Sequence, residues 1–427
     1  MDVRLNEFER LEPEYVPELN LLELPILNSD EKEFLRKFYN FIEEELVNKL
    51  KSLENLNYMA EEQIQEKKKD MIINIMKILS TKGYYSTIGN NQEESIGRIT
   101  RNALIALALC GGFYSENLNR YIPGNWSVEM GRLAGGTLYC NPVNYKANEY
   151  QRKNFLYPVT KDGAPAASAM TEFNAGSDIF RLECKFKGEG DNIVVDGKKL
   201  FITNGMIADY VVLYGRLEGS LRALLINTEH QQLENFKSSR VRMFGMKDAF
   251  VSRLVFDGTV IPKMNLMEGD GLDIMFHQLT EERLVISAEA IGDIINKTFY
   301  SHAWAKKRQQ FERKLNQFQI IRIPITEGLR KISFYLSALI NYTREMDSNS
   351  ELGRSKLMAS SAMGLKIDTC ELAFDNSNDL YRTMGGRAFT EQYSNQFGLL
   401  DAFCMLHGGG SHYVLADAES RRFFKTK

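Results

Sequence analysis

The chain has 427 residues, and 53 Lys and Arg stand against 56 Asp and Glu for a net charge of −3. It is long enough for two or three domains and has no positive field with which to recruit nucleic acid. Its five cysteines, Cys110, Cys140, Cys184, Cys370 and Cys404, are odd in number and far apart. They fit buried thiols in a reducing compartment better than a metal site.

In chain order, Met1 to Leu24 scatters Asp and Glu among Leu and Pro, unlike the basic start and apolar run of a secretory signal. From Ser29 to Leu56 the positions Phe34, Phe38, Phe41, Ile42, Leu46, Leu50 and Leu53 recur every three or four residues, which predicts an amphipathic helix. Met59 to Thr81 reads as a second helix and Ile96 to Gly111 as a third, better buried one. The run Lys67-Lys68-Lys69 reads as a solvated face. The most apolar segment, Ala103 to Cys110, is far shorter than the ~20 residues that span a bilayer. A soluble, cytoplasmic protein with no membrane partner is expected.

After about Asp162 the texture changes. Leu182 to Phe186, Asn192 to Val195, Lys199 to Thr203, Tyr210 to Leu213, Leu221 to Ile226 and Arg253 to Phe256 are short, apolar and separated by Gly, Asn and Asp, as strands are. Beyond Pro262 long helices return over Gly271 to Tyr300, Leu315 to Asn341, Ser355 to Leu380 and a last stretch toward Arg422, with no fixed repeat. The expected fold class is mostly α with a central β domain. A helical domain covers 1–160 with an extension at 1–28, a β domain 161–268 and a helical bundle 269–427.

The glycine fingerprint of a Rossmann site, the P-loop pattern and His-Glu-x-x-His are absent. The histidines His230, His277, His302, His407 and His412 are too dispersed to nominate a metal centre. Two other stretches carry chemistry. Within Thr171-Glu172-Phe173-Asn174-Ala175-Gly176-Ser177-Asp178, a small-residue turn lets backbone approach a ligand while hydroxyls and amides donate to it. Phe201-Ile202-Thr203-Asn204-Gly205 ends a strand in an aromatic, a hydroxyl and a glycine. Together they read as two edges of one pocket for a flat, anionic cofactor.

In register along most of the chain, from about Ile96 to Arg422, these motifs resemble those of the acyl-CoA dehydrogenase family of flavoenzymes. Thr171 to Asp178 resembles its Thr-Glu-x-x-Ala-Gly-Ser-Asp flavin loop and Phe201 to Gly205 its Trp-Ile-Thr-Asn-Gly element, with Phe for Trp. Phe244-Gly245, Phe256-Asp257-Gly258 and Val260-Ile261-Pro262 resemble the closing strands of its β domain. Arg308-Gln309-Gln310-Phe311 and Phe318-Gln319 resemble the Arg-x-x-Phe and Phe-Gln that reach a cofactor across a subunit boundary. The resemblance implies an N-terminal helical domain, a β-barrel-like middle domain and a C-terminal four-helix bundle, with FAD between the last two. It also implies an acyl thioester substrate on CoA or an acyl carrier protein, an electron acceptor for the reduced flavin, and a homodimer or homotetramer.

By the same resemblance, Thr203 would bond flavin N5, Thr171 and Ser177 would touch the ring and the pyrophosphate, and Met170 and Gly176 would complete their loop. Phe201 would cover part of the flavin. Arg308, Phe311, Gln319, Arg382, Gly385 and Gly386 would complete a neighbouring subunit's site, and Ser411 would lie at the cofactor. Taken singly, such residues also serve as strand-end hydroxyls, a solvated Arg and a helix C-cap. The chain departs from the family's pattern at Arg382, where Gln is common, at Ala388, where Gly is common, and at Tyr413, where a polar amide or acid is usual.

The base is the most informative departure. Many members carry it in a C-terminal Tyr-Glu-Gly-Thr segment, but aligning Asp401-Ala402 places Gly409 at the Glu and Ser411 at the Thr. A second family arrangement puts it before an Arg in the bundle's first helix, and this chain has Glu282-Arg283 there. Glu282 also stands out on physical grounds. Met275, Leu279, Glu282 and Ile286 form one helical row, and a carboxyl in an apolar row gains basicity as it loses solvation. A salt bridge is its bland alternative, and Glu281, in the more polar row of His277 and Gln278, is the runner-up. Two further readings keep the fold: a flavin monooxygenase, and a catalytically silent member that acts as a binding or assembly protein.

Overall fold

The computed structural model describes residues 13–56, 61–88, 95–228, 233–349, 355–390 and 399–425. His230, residues 1–12 of the expected extension and the Met59 start of the second helix lie outside the described residues.

Helix α1 (Ser29–Phe41) starts at Asn28, whose side chain accepts from the Glu31 N–H while Glu31 accepts from the Asn28 N–H. A π-helical stretch (Ile42–Leu46) carries it into α2 (Val47–Leu56), so the predicted helix is one continuous run. Helix α3 (Glu61–Thr81) corrects the reading of its lysine run. Lys68 is buried, with its Nζ 2.6 Å from Asp248 Oδ1, and so pins α3 to a loop 180 residues downstream. After α4 (Arg98–Gly111) come a hairpin of β1 (Phe113–Ser115) and β2 (Arg120–Ile122) and the short helices α5 (Trp126–Arg132), α6 (Cys140–Lys146), α7 (Glu149–Gln151) and α8 (Tyr157–Asp162).

A seven-stranded sheet follows, built from β3 (Ala166–Ala169), β4 (Lys185–Glu189), β5 (Asn192–Ile202), β6 (Tyr210–Leu217), β7 (Ser220–Asn227), β8 (Phe236–Arg240) and β9 (Ser252–Pro262). Its order is β3-β6-β4-β5-β9-β8, with β7 antiparallel along the other edge of β6. The two strands expected over 192–195 and 199–203 are one, because β5 pairs with β9 through the charged Asp196 to Lys199 stretch with a bulge on either side. Strand β3 is Ala-Ala-Ser-Ala and lacks the β-branched signal, while β8 is a polar edge strand; neither was expected.

Helix α9 (Gly271–Lys307), 37 residues and about 55 Å long, is buried over most of its surface. It packs against α4, α10 (Gln319–Ser348) and α11 (Lys356–Met384). A two-residue hairpin of β10 (Gln309–Gln310) and β11 (Arg313–Lys314) joins α9 to α10, and helices Leu399–Met405 and His412–Phe424 close the described chain. No described helix is long and apolar enough to cross a membrane.

The α4–α9 crossing is close because glycines meet there. A Cβ on Gly292 would lie 2.6 Å from Leu107 O and 2.8 Å from Gly111 N, backbone atoms with no freedom to yield. Gly292→Ala should therefore cost about 1–3 kcal/mol, read as a lowered urea midpoint at unchanged slope.

Candidate active site

The first wall of the site is where β5 ends. The β5–β9 ladder runs to the pair Lys199–Leu254 and resumes at Ile202–Ser252, and the irregularity between them sets Phe201 at φ 60° with the residue 56% exposed. Bulges commonly re-aim a side chain beside a site. The Leu200 N–H donates to Thr171 O at 3.0 Å, joining the two motif loops directly.

A buried ion pair fixes that junction. Lys199 Nζ donates to Glu172 Oε1 at 2.6 Å and to Met170 O at 2.8 Å, and Glu172 also accepts from the Glu183 and Cys184 N–H groups. On the other side of Thr203, Asn204 holds φ 63° while its side-chain amide donates to Gly131 O at 2.8 Å and Ala166 O at 3.0 Å. Thr171 and Thr203 are thus half-buried hydroxyls on anchored backbone, whereas Gly176 and Ser177 are exposed. A Cβ on Gly176 would meet only Thr171 Cγ2, at 3.8 Å. An outward-turned aromatic, fixed hydroxyls and an open glycine turn fit a flat, anionic cofactor such as FAD.

Glu282 occupies the expected buried row on α9, with Met275 and Ile286 beside it. It is 8% exposed, and among the described residues no hydrogen bond or ion pair reaches its carboxyl. Burial pushes its pKa up to about 7, against the opposing pull of Arg283 and Lys366. A Cβ on Gly409 would stand 3.7 Å from Glu282 Oε1, so the alternative position for a base and Glu282 face the same point. The turn bearing Gly409, at φ 63°, is held by Arg283 Nε donating to Gly409 O at 3.3 Å and by Lys366 Nζ donating to Gly410 O at 3.1 Å.

Glu281 has the opposite fate. Arg98 donates to its two oxygens at 2.8 and 2.6 Å, and Asn102 and Asn141 each donate at 2.8 Å. Burial alone would raise its pKa, but the Arg98 charge and these bonds hold it below the ordinary value. It is a locked carboxylate, unsuited to accepting a proton.

The remaining expected residues lie elsewhere. Arg308 follows the end of α9, roughly 39 Å of helix from Glu282. Phe311 is 87% exposed in the β10–β11 turn, and Gln319 is exposed at the start of α10. Arg382 is exposed with Nη1 3.9 Å from Asp379, Gly385 caps α11 at φ 63°, and a Cβ on Gly386 would touch nothing within 4 Å. Ser411 is half-buried at the N-cap of the last helix. One chain therefore assembles Met170, Thr171 and Thr203 on one wall and Glu282 by Gly409, but leaves the Arg308 group at the far end of the bundle. Sequence reasoning did not assign Glu172, Lys199, Asn204, Arg98, Asn102 or Asn141. Glu172 and Asn204 lay inside quoted motifs, whereas the Arg98–Glu281 contact spans 183 residues and left no local signal.

Family models of the acyl-CoA dehydrogenase middle domain and C-terminal domain match residues 167–259 and 269–423, more than half of the chain. The mitochondrial isovaleryl-CoA dehydrogenase of Solanum tuberosum is 22% identical over 406 residues, 94% of this chain and 92% of its own. A glutaryl-CoA dehydrogenase from Mycobacterium smegmatis in complex with FADH2 superposes with a TM-score of 0.79 at 16% identity, over 96% of this chain and 99% of that one. PigA with FAD and proline superposes with a TM-score of 0.75 at 18% identity, over 93% and 98%.

The raised pKa of Glu282 has a consequence for stability. Below about pH 4.5 the carboxyl is protonated whether the chain is folded or not, and its burial is without penalty. As pH rises through the window from 4.5 to about 7 the unfolded chain ionises first, so stability is lost, and the loss levels off above the folded pKa. Glu282→Gln should match the wild type at pH 4 and exceed it at pH 8 by on the order of 3 kcal/mol, measured as chemical denaturation across that range.

Proposed function

The chain belongs to the acyl-CoA dehydrogenase family, flavin-dependent oxidoreductases that dehydrogenate acyl-CoA, and from that premise we propose that it is an FAD-dependent acyl-thioester dehydrogenase whose general base is Glu282. The observation that carries this reading is the unpartnered, buried Glu282 carboxyl, with its pKa near neutrality, facing the Gly409 position. The cofactor would be held by Met170, Thr171, Gly176, Ser177, Thr203 and Ser411, with Phe201 against its ring. When bound, FAD supplies the acceptor for the β hydride.

The chain's own residues supply position and proton transfer. Glu282 takes the α proton of the thioester, and a pKa about 7 suits a base that works near neutral pH. Met275 and Ile286, both buried beside it, give the carboxyl an apolar surround that sustains that basicity. Backbone amides polarise the thioester carbonyl and acidify the α carbon. Glu281 stays ionised and anchors this part of α9 to α4 through Arg98. A partnerless base argues against the monooxygenase and silent-member readings. The thioester would be carried on CoA or an acyl carrier protein, and a separate electron acceptor would reoxidise the flavin. The widely spaced free thiols fit a cytoplasmic setting.

The distant Arg308 group supports a homodimer or homotetramer. Arg308, Phe311, Gln319, Arg382, Gly385 and Gly386 are too far along the bundle to serve the Glu282 end of their own chain. They would complete the cofactor site of a neighbour, Arg308 through its donor fork. The exposed Phe311, Ile320 and Ile323 give that end an apolar surface suited to burial against a second copy.

Glu282→Gln should load FAD normally yet lose ~10²–10⁴ in the rate of anaerobic flavin bleaching by acyl thioesters. The wild-type rate should climb with pH and level off above about 7. Bleaching by the variant at the wild-type rate would remove Glu282 from the role. Light scattering on the FAD-loaded protein should give at least a dimer; a fully loaded monomer contradicts the shared site.

A further inference from the structure

Seven residues past Glu282 on α9, almost two turns and about 10 Å along the axis, stands a second buried carboxyl that the proposed reaction does not use. Glu289 is 2% exposed, and neither Oε1 nor Oε2 has a hydrogen-bond partner among the described residues. Donors are near, but among the described residues none bonds it. Arg132 binds both oxygens of Glu129 through Nε and Nη2, and its Nη1 donates to Asn102 Oδ1 at 2.8 Å. The Asn102 amide is spent on Thr137 and Glu281, and Trp126 Nε1 donates to the backbone carbonyl of Glu289 rather than to its side chain.

Burial drives the Glu289 carboxyl well above the usual range; the charge of Glu129 adds to this, Arg132 opposes it, and the charge of Glu282 adds again. The Glu282 influence reflects their place on one face of the helix, with the apolar Ile286 between them. Leaving such a group unpaired is destabilising, and an aliphatic side chain of similar volume would avoid the cost. Buried polar groups are otherwise almost always satisfied, so this one calls for a partner from outside the chain.

We propose that Glu289 is a substrate-recognition residue that binds a protonated amine carried on the acyl group, several bonds beyond its α carbon, so that the substrate class is amino-substituted acyl thioesters rather than plain fatty acyl ones. The proposal rests on Glu282 marking the α carbon. An ammonium group would give Glu289 both a donor and a countercharge, while Glu129 and Arg132 neutralise each other. A methyl group in its place would bury the carboxyl with nothing to bond. Sites built to hydrogen-bond a substrate reject the analogue that lacks the bonding group far more strongly than apolar pockets reject size changes.

The test uses two redox-inert thioether analogues of equal chain length, one ending in an amine and one in a methyl group. Their binding to the FAD-loaded wild type and to Glu289→Gln is followed by calorimetry. The wild type should bind the amine at least about tenfold more tightly, a difference of 1.4 kcal/mol, and Glu289→Gln should lose most of that preference. Without any ligand, Glu289→Leu should melt several degrees above the wild type, because the unpaired carboxyl is gone. Equal or tighter binding of the methyl analogue by the wild type overturns the proposal, as does a preference that survives in Glu289→Gln or a Glu289→Leu protein that melts below the wild type. Because the analogues are not turned over, an error about Glu282 would appear separately, as thioesters that never bleach the flavin while the amine preference persists.

Discussion

Arg98 and Glu281 meet through two charge-assisted hydrogen bonds, with Asn102 and Asn141 completing the carboxylate's shell. Three of those partners come from the N-terminal helices and the acceptor from α9, so the contact sets where this turn of α9 sits relative to α4 and α6. Losing one member of such a buried cluster would leave the others desolvated and unpaired, typically at 3–5 kcal/mol. The contact is also what frees Glu282. Adjacent helical residues point about 100° apart, so fixing Glu281 toward the asparagines turns Glu282 toward Gly409, where no cation among the described residues bonds it.

The same helix distributes its buried charge unevenly. Toward its far end, Lys297 Nζ bonds Asp293 and Ser377, a closed and satisfied set. Glu281 is closed in the same way. Of its buried carboxyls, Glu282 and Glu289 are the ones held without a partner among the described residues, at neighbouring levels of one face. A chain selected for stability alone would put aliphatic residues at both positions. Local cost of this kind is characteristic of positions retained for function.

What could be read from the sequence follows from where the information lies. The helices over 29–56, 61–81, 98–111 and beyond 271 were visible because a 3.6-residue period is a local property, and the two motif loops because glycine and hydroxyl residues at fixed spacing are local too. Glu282 was reachable because its apolar row and the glycine at 409 are both written in the chain. Strand β3 was not, since Ala-Ala-Ser-Ala owes its pairing to burial against the π-helical stretch Leu133–Tyr139 rather than to its own preference. Lys68 misled because a lysine run gives no hint that its middle member meets Asp248. Glu289 was invisible for the opposite reason: what distinguishes it is the absence of any nearby partner, and only the three-dimensional neighbourhood can reveal that.

Gly409 faces the same helix, against Ile286 and Glu282. With a side chain there, a Cβ would press within 2.7 Å of Ile286 Cδ1 and 3.7 Å of Glu282 Oε1, and the backbone at φ 63° would resist it. A carboxylate at 409 and one at 282 are therefore competitors for one volume rather than a cooperating pair, and two ionised groups so close would raise each other's pKa until one stayed protonated. Glycine at 409 resolves the competition. It leaves Glu282 as the one carboxyl of the proposed site at this point, lets Arg283 and Lys366 reach the backbone of the turn instead of a second acid, and puts the proposed base on a helix buried over most of its surface.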